Sequence, residues 1–217
     1  MGKGGHGFPW QLNIKHTKMD LDLTLTSEKK PVLQGRQGFS EKSSTPGNAS
    51  YYYSFSRLHT QGSLRLNDKT FTVSGGSWLD REWGSSQLDE NQLGWDWFSI
   101  QLNDNQEMMY YQLRDKDGKP HPASEGKWTN QNGESQTINT HDIELTPIKW
   151  WQSEDGKRFP IRWRLDYPNK NSHWIVEAMV DDQYMTTLVR YWEGAVRVLD
   201  VKSQKVLGVG YLEMTGY

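Results

Sequence analysis

Hydrophobic and polar residues alternate along most of the chain, and this is the pattern of half-buried β-strands. In the clearest case, residues 19–26, methionine and leucine side chains fall on one face while aspartate and threonine side chains fall on the other. No segment keeps an apolar stripe at helical spacing over three turns. The pattern therefore predicts a nearly all-β fold of antiparallel strands.

Turn signals such as Asn67-Asp68, Asp117-Gly118 and Asn132-Gly133 divide the rest of the chain into short alternating segments. Such spacing is typical of hairpins that close into a barrel or a sandwich. The glycine- and serine-containing stretch 34–48 is predicted to be an exposed loop. The remaining predicted strands cover residues 50–58, 62–66, 69–74, 96–102, 107–114, 136–145, 162–166, 173–180, 188–198 and 208–213.

Two consecutive glycines at positions 75 and 76 precede a segment of very different, aromatic and acidic composition. We therefore predict a domain boundary there, between residues 8–75 and residues 76–217. Residues 1–7 are glycine-rich, contain no apolar stretch like that of a signal peptide, and are predicted to be a disordered lead-in.

Composition narrows the functional classes. A net charge of −2 with interspersed signs gives no footprint for nucleic acid. The absence of cysteine excludes thiol catalysis, disulfides and thiolate metal ligands, and the six dispersed histidines show no metal-ligand spacing. We therefore predict neither a metal site nor a cofactor. The 11 tryptophans and 10 tyrosines supply large, polar-tipped rings in place of aliphatic bulk.

The most informative window for chemistry is residues 75–102. In an extended segment, Trp78, Asp80 and Glu82 share one face, while Trp83 lies on the other. Two neighbouring carboxylates repel each other, so one can stay protonated near neutral pH and donate a proton. The alternative is that an arginine neutralises them in a structural ion pair.

The next strand places Trp95 and Trp97 on one side and Asp96 on an otherwise apolar side. A carboxyl group among hydrocarbon either pairs with a cation, such as Arg114, or has its pKa raised by loss of solvent. Any single tryptophan is more often a core residue than a ligand contact. Together these rings still suggest the lining of an apolar cavity.

Two further segments contribute candidates. Glu193 falls on the same face as Tyr191, among mostly apolar neighbours, and a hydrogen-bond anchor at a strand end is its favoured interpretation. Tyr110 belongs to the aromatic segment MMYYQLR. The predicted catalytic residues are Asp80, Glu82 and Asp96; the predicted ligand-binding residues are Trp78, Trp83, Trp95, Trp97, Tyr110, Tyr191 and Glu193.

Several motifs in order resemble one family: LQGRQGFSEK, ASYYYSFSRL, GSWLDREWGSSQL, GWDWFSIQL, MMYYQLR, YWEGAV and GVGYLEMTGY. They are similar to those of the AttH-like and carotenoid 1,2-hydratase-like family, which includes hydroxyneurosporene synthase and predicted secreted hydrolases. The resemblance implies lipocalin-like β-barrels: a complete C-terminal barrel, preceded by the remaining strands of a first one. Family members usually carry a longer N-terminal portion, so the chain looks N-terminally truncated.

The resemblance also implies a cellular location and partners. We expect a periplasmic or secreted location for the full-length form and a functional link to an ABC transporter. Open strand edges in a truncated first barrel imply coverage by a second copy or by the missing N-terminal fragment.

Two main functions compete. In the first, the protein binds an apolar lipid or isoprenoid-type ligand in a tryptophan-lined cavity, as a carrier or in lipid metabolism. In the second, a cofactor-free hydratase or hydrolase-like enzyme uses an aspartic or glutamic acid to protonate a double bond of such a ligand. A third, weaker interpretation treats the tryptophans as an exposed sugar platform.

Overall fold

A computed structural model of the protein describes residues 7–27, 29–84, 88–187 and 190–217. The described ranges form strands almost throughout, with one short 3-10 turn at Pro168–Lys170, which confirms the predicted all-β fold. Within these ranges, no helix has the length and apolar character needed to cross a membrane. The strands are β1 (Trp10–His16), β2 (Met19–Thr26), β3 (Val32–Leu33), β4 (Phe39–Glu41), β5 (Ala49–Leu66), β6 (Lys69–Gly84), β7 (Gln92–Leu102), β8 (Glu107–Asp115), β9 (Glu125–Thr129), β10 (Ser135–Asn139), β11 (Glu144–Gln152), β12 (Arg158–Tyr167), β13 (Ser172–Ala178), β14 (Tyr184–Thr186), β15 (Arg190–Asp200) and β16 (Val206–Met214).

The first sheet is built around the long strand β5, which pairs with β6 along one side over almost its whole length. On its other side, β5 pairs with β3 and β4 through its first half and with β2 through its second half, and β1 completes that edge. A small core of Phe8, Leu25, Phe55 and Leu58 lies against this sheet.

The second sheet is antiparallel, with strand order β10-β9-β8-β7-β16-β15-β13-β12-β11, and β14 extends β15. It curls as a half-barrel around one core, because every second residue of each strand points inward; Phe98, Trp163, Trp192 and Leu212 are fully or almost fully buried there. Its end strands β10 and β11 follow each other along the chain and share no ladder among the described residues. The predicted lipocalin-like, all-β class is thus confirmed, and the interior is filled by side chains.

Several strand boundaries differ from the sequence prediction. The strand Met19–Thr26 is confirmed, whereas β1, β3, β4, β9, β14 and most of β11 were not predicted. The strand β6 runs through residues 75 and 76 to Gly84, so the predicted domain boundary falls inside a strand. Glycine at position 76 serves a different purpose: a β-carbon there would come within 2.8 Å of the Gln101 side chain, which reaches across from the second sheet. Residues 1–6 of the predicted lead-in and residues 188–189 lie outside the described residues.

The stretch 34–48 is also not the exposed loop that its polar composition predicted. Gln34, Ser40, Lys42 and Asn48 are buried, and each of these side chains makes at least one hydrogen bond inside the protein. The Ser40 hydroxyl, for example, lies 2.8 Å from the Tyr111 hydroxyl and donates to Glu125 at 2.9 Å. This stretch therefore docks on the second sheet and brings Lys42 between the two sheets.

The two sheets are fastened together by a buried ion-pair cluster. Glu107 on β8 is inaccessible to solvent and accepts from Lys29 at 2.8 Å and from Arg57 at 2.5 Å, both contributed by the N-terminal part of the chain. Beside it, Tyr52 of the first sheet packs against Met109 on the outer face of the half-barrel. The first sheet therefore covers the outer faces of β7 and β8 in part, and the site described next lies in this interface.

Candidate functional site

A cavity of about 300 Å³ lies between the sheets. The first sheet and the stretch before it supply one wall, and the outer faces of β7, β8, β15 and β16 supply the other. An adjoining cleft of about 490 Å³ shares three lining residues with it and adds Trp78. The cavity is lined by Lys42, Tyr52, Asp80, Glu82, Trp95, Trp97, Tyr111, Leu113, Tyr191 and Glu213.

Asp80 occupies the junction of the cavity and the cleft. Its carboxyl group accepts from Trp78 Nε1 at 2.9 Å and from the Ser54 hydroxyl, and it is hydrogen-bonded to Tyr52. Burial raises the pKa of Asp80 to about 6, against the effect of these three hydrogen bonds, which favour the ionised form. Asp80 is thus a carboxylate that can take up a proton near neutral pH.

Glu213 faces Asp80 from the second sheet. It accepts from Trp95 Nε1 at 2.7 Å and is the cross-strand neighbour of Glu193 in the β15–β16 ladder. Burial, followed by the nearby negative charges of Glu193 and Asp80, raises the pKa of Glu213 to about 7. Fewer donors surround Glu213 than Asp80, so Glu213 keeps its proton to higher pH.

A buried cation completes the polar part of the wall. Lys42 Nζ lies 3.0 Å from Glu82 Oε1 and 4.0 Å from the centroid of the Tyr111 ring. Burial lowers the pKa of Lys42, and the charge of Glu82 opposes that effect. Burial also raises the pKa of the Tyr52 hydroxyl well above its ordinary range, so Tyr52 stays neutral; it accepts from Trp97 Nε1 at 3.0 Å.

Aromatic rings form the remaining walls of the cavity and the cleft, and they contact one another edge to face or at a tilt. Trp78 and Trp97 meet edge to face with centroids 6.4 Å apart, and Trp95 and Tyr191 are tilted with centroids 6.1 Å apart. Both pairs join residues distant in sequence. The site therefore combines π faces with two carboxyl groups of raised pKa.

The structure brings most of the sequence candidates together. Asp80, Glu82, Trp95, Trp97 and Tyr191 line the cavity. Trp78 lines the adjoining cleft, and Glu193 stands beside Glu213.

Three candidates lie elsewhere. Trp83 points away from the cavity, is 51% exposed and stacks on Tyr51. Tyr110 is buried in the core of the half-barrel, because its neighbour Tyr111 takes the outward position on β8. The exposed rings Trp83 and Trp150 belong to different sheets, so they do not form a common sugar platform.

Asp96 is the third, and its surroundings are those of a structural ion pair. It is fully buried and accepts from Arg114 Nε at 3.0 Å, from the Tyr217 hydroxyl at 2.7 Å and from Gln112 at 3.3 Å. Burial raises the pKa of Asp96, and the charge of Arg114 and these hydrogen bonds counteract the rise. Pairing with arginine was one of the two outcomes predicted for this position, and Asp96 does not line the cavity.

Sequence reasoning missed Glu213, Lys42, Tyr52, Tyr111 and Leu113. For Glu213 a signal existed: alternation along β16 places it outward with Tyr211, while Leu212 and Met214 face the core. Lys42 gave no signal, because its position depends on the docking of an irregular stretch. Within the described residues, no group of three or more side chains has an arrangement that could hold a metal ion.

Comparisons with known proteins agree with the fold. The AttH-like family model matches residues 2–217. A Nitrosomonas europaea protein described as an AttH has 31% identity and a TM-score of 0.88, over 99% of this chain and 66% of that chain. Kievitone hydratase from Nectria haematococca has 18% identity and a TM-score of 0.77, over 99% of this chain and 67% of that chain. CghA, solved with Sch210972, has 12% identity and a TM-score of 0.53, over 94% of this chain and 63% of that chain.

At 18% and 12% identity, the similarities to kievitone hydratase and to CghA show the fold alone. This chain spans about two thirds of the length of each of these structures. A comparison with curated proteins gave no match. Because the family model covers nearly the whole sequence, the chain belongs to the AttH-like family.

Proposed function

We propose that the protein is a cofactor-free, hydratase-like enzyme that adds water to a carbon–carbon double bond of a small, largely apolar substrate in the cavity between its sheets. The observation that carries the proposal is the pair of carboxyl groups, Asp80 and Glu213, whose pKa values burial raises to about 6 and about 7 beside aromatic walls. The name of one structural relative, kievitone hydratase, is consistent with it.

The different surroundings of the two carboxyl groups assign their roles. Glu213 has the higher pKa and acts as the acid, because it holds a proton near neutral pH. Asp80 has the lower pKa and three hydrogen-bonded neighbours, so it is largely ionised under the same conditions. The sequence predicted Asp80, Glu82 and Asp96 as catalytic residues; we assign the role of proton donor to Glu213 because of its higher pKa.

The reaction then balances without a further reactant. The Glu213 carboxyl gives its proton to one carbon of the double bond, and the π electrons form the new C–H bond and leave a carbocation on the other carbon. A water molecule bonds to that carbon through its oxygen and gives up a proton to the Asp80 carboxylate. Transfer of this proton through water to Glu213 restores the starting state.

The walls favour the positive charge that develops. The rings of Trp95, Trp97 and Tyr191 present π electrons to the cavity, and such faces attract cations. The carboxylate of Asp80 lowers the energy of a nearby cation through charge attraction, which is strong in a site of low polarity. Glu82 offsets the positive charge of Lys42, which lines the same cavity. Trp83 takes no part, because it lies on the opposite face of β6.

Carriage of a small apolar ligand without reaction is the second candidate. The paired rings Trp78–Trp97 and Trp95–Tyr191 offer apolar contact that needs no acid. A volume of about 300 Å³ lies at the lower end of the range for ligand cavities, so either function concerns a small molecule or one end of a longer lipid. Periplasmic location, the link to an ABC transporter, and association with a second copy or another fragment stay predictions from the resemblance.

Incubation with a panel of unsaturated isoprenoid and lipid compounds in isotopically labelled water tests the proposal. We expect one product heavier by one labelled water, formed by the unaltered protein and lost in both Glu213→Gln and Asp80→Asn. Trp83→Phe is the matched control on the other face of β6 and should keep full turnover. Binding of a compound without product, equally in all variants, would instead establish the carrier.

A further inference from the structure

A second cavity, of about 360 Å³, lies at one end of the half-barrel and shares no lining residue with the cavity between the sheets. It is enclosed by the β7–β8 turn, the β15–β16 turn and the 3-10 turn before β13. We propose that it binds an amphipathic monocarboxylate, with the carboxylate at the rim and the apolar chain against the apolar side chains that line the cavity below it.

The floor of this cavity is aromatic and apolar. Trp128 and Trp174 stack with their centroids 5.7 Å apart at an interplanar angle of 27°, and both rings are almost fully buried. Leu102 and Leu207 extend the apolar surface beside them. Trp128 Nε1 donates to Gln106 at 3.0 Å, so its polar group is already satisfied, and Lys170 Nζ lies 5.6 Å from the centroid of its ring.

The rim of the cavity carries two ammonium groups. Lys170 and Lys205 line it, are exposed, and have no ion-pair partner in the part of the chain that the structure describes. Asp104, the acidic residue of the same rim, accepts two hydrogen bonds from Gln106 and so belongs to the turn. Two lysines against one aspartate leave the rim positive, which favours an anionic head group over a neutral or cationic one.

The class of ligand follows from this combination. A purely hydrophobic ligand leaves the two ammonium groups without an anion, and a small inorganic anion leaves the apolar side chains of Val206 and Leu207 in contact with water. A carboxylate with a short alkyl or aryl body pairs with the ammonium groups and also covers the apolar surface. The cavity volume suits a molecule at the lower end of the usual ligand sizes. This site does not depend on the proposed enzyme activity.

Calorimetric titration with octanoate, octanol and octylamine tests the proposal. We expect octanoate to bind best, and added salt to weaken octanoate without affecting octanol. The double variant Lys170→Met with Lys205→Met should weaken octanoate binding roughly tenfold, as the loss of two exposed ion pairs predicts, and leave octanol unchanged. Lys202→Met, an exposed lysine in the same β15–β16 turn but outside the cavity, is the matched control and should bind octanoate normally.

Two readouts place the ligand. The indole N–H resonances of Trp128 and Trp174 should shift on addition of octanoate, and Asp80→Asn should leave both shift and affinity unaltered. Absence of octanoate binding, or affinity that is the same in the double lysine variant and in the Lys202→Met control, would overturn the proposal. Either result would leave the function proposed for the cavity between the sheets untouched.

Discussion

Replacement of Glu213 by glutamine should make the protein more stable at neutral pH while removing the proposed acid. The folded-state pKa of Glu213 is raised from 4.5 to about 7, so the folded chain holds this proton more tightly than the unfolded chain does. The protonated form of Glu213 contributes its full stabilisation at pH values below the pKa of the unfolded chain. This contribution is lost as the pH rises through the pKa of the folded chain. Glutamine is neutral at every pH and keeps an oxygen to accept from Trp95 Nε1.

The size of the effect follows from the shift. A difference of roughly 2.5 pKa units corresponds to about 3 kcal/mol, so the variant should gain at most about 3 kcal/mol in free energy of unfolding near pH 8 and only about 1 kcal/mol near pH 5. Urea unfolding followed by circular dichroism at both pH values measures the gain.

The exposed residue Glu154, changed to glutamine, controls for the loss of one negative charge far from the cavity. A gain that does not grow between the two pH values, or a loss of stability at the higher one, would contradict the raised pKa of Glu213. A gain in stability together with a loss of turnover is the signature of a strained functional group, because active sites keep charges that the fold alone disfavours.

Three other substitutions test the structure around the site. Glu107→Gln leaves the two cations beside it buried without their carboxylate, and we expect a loss of about 3 to 5 kcal/mol in urea unfolding; a loss below about 1 kcal/mol would contradict the role assigned to this cluster. Tyr217→Phe removes one donor to Asp96 and should cost roughly 1 to 3 kcal/mol without changing turnover; altered turnover at full stability would return Asp96 to the list of catalytic residues. Lys42→Met takes away the cation beside Glu82, so thermal unfolding should show a lower midpoint, with a loss of roughly 1 to 3 kcal/mol; an unchanged midpoint would contradict the importance of this pair.

The alternation of hydrophobic and polar residues along the chain predicted much of the fold and half of the residues that line the cavity between the sheets. It placed Asp80 and Glu82 on one face of β6 with Trp78, and it separated Trp95 and Trp97 from Asp96. These assignments depend only on the two-residue period of a strand, which a local sequence displays. That period does not tell which face of a sheet meets another sheet.

The remaining site residues depend on how the sheets pack. Glu213 is one of several outward residues on β16, and its role appears only when β16 lies beside β7 and opposite β6. Lys42 reaches the cavity through buried hydrogen bonds of a polar stretch, which sequence reasoning takes for a surface loop. The packing role of the glycine at position 76 was not predicted for the same reason, because the Gln101 side chain that needs its space comes from the other sheet.

A titration of the Glu213 side-chain carboxyl by carbon NMR, assigned through the Glu213→Gln variant, tests the central claim most directly. We expect a midpoint of about 7, since the group is buried beside Trp95 and near other acidic side chains. For Asp80 we expect a midpoint of about 6 in the same series. Midpoints for both groups near the ordinary values of exposed carboxyl groups, about 4, would contradict this claim, because neither could then hold a proton for an alkene at neutral pH.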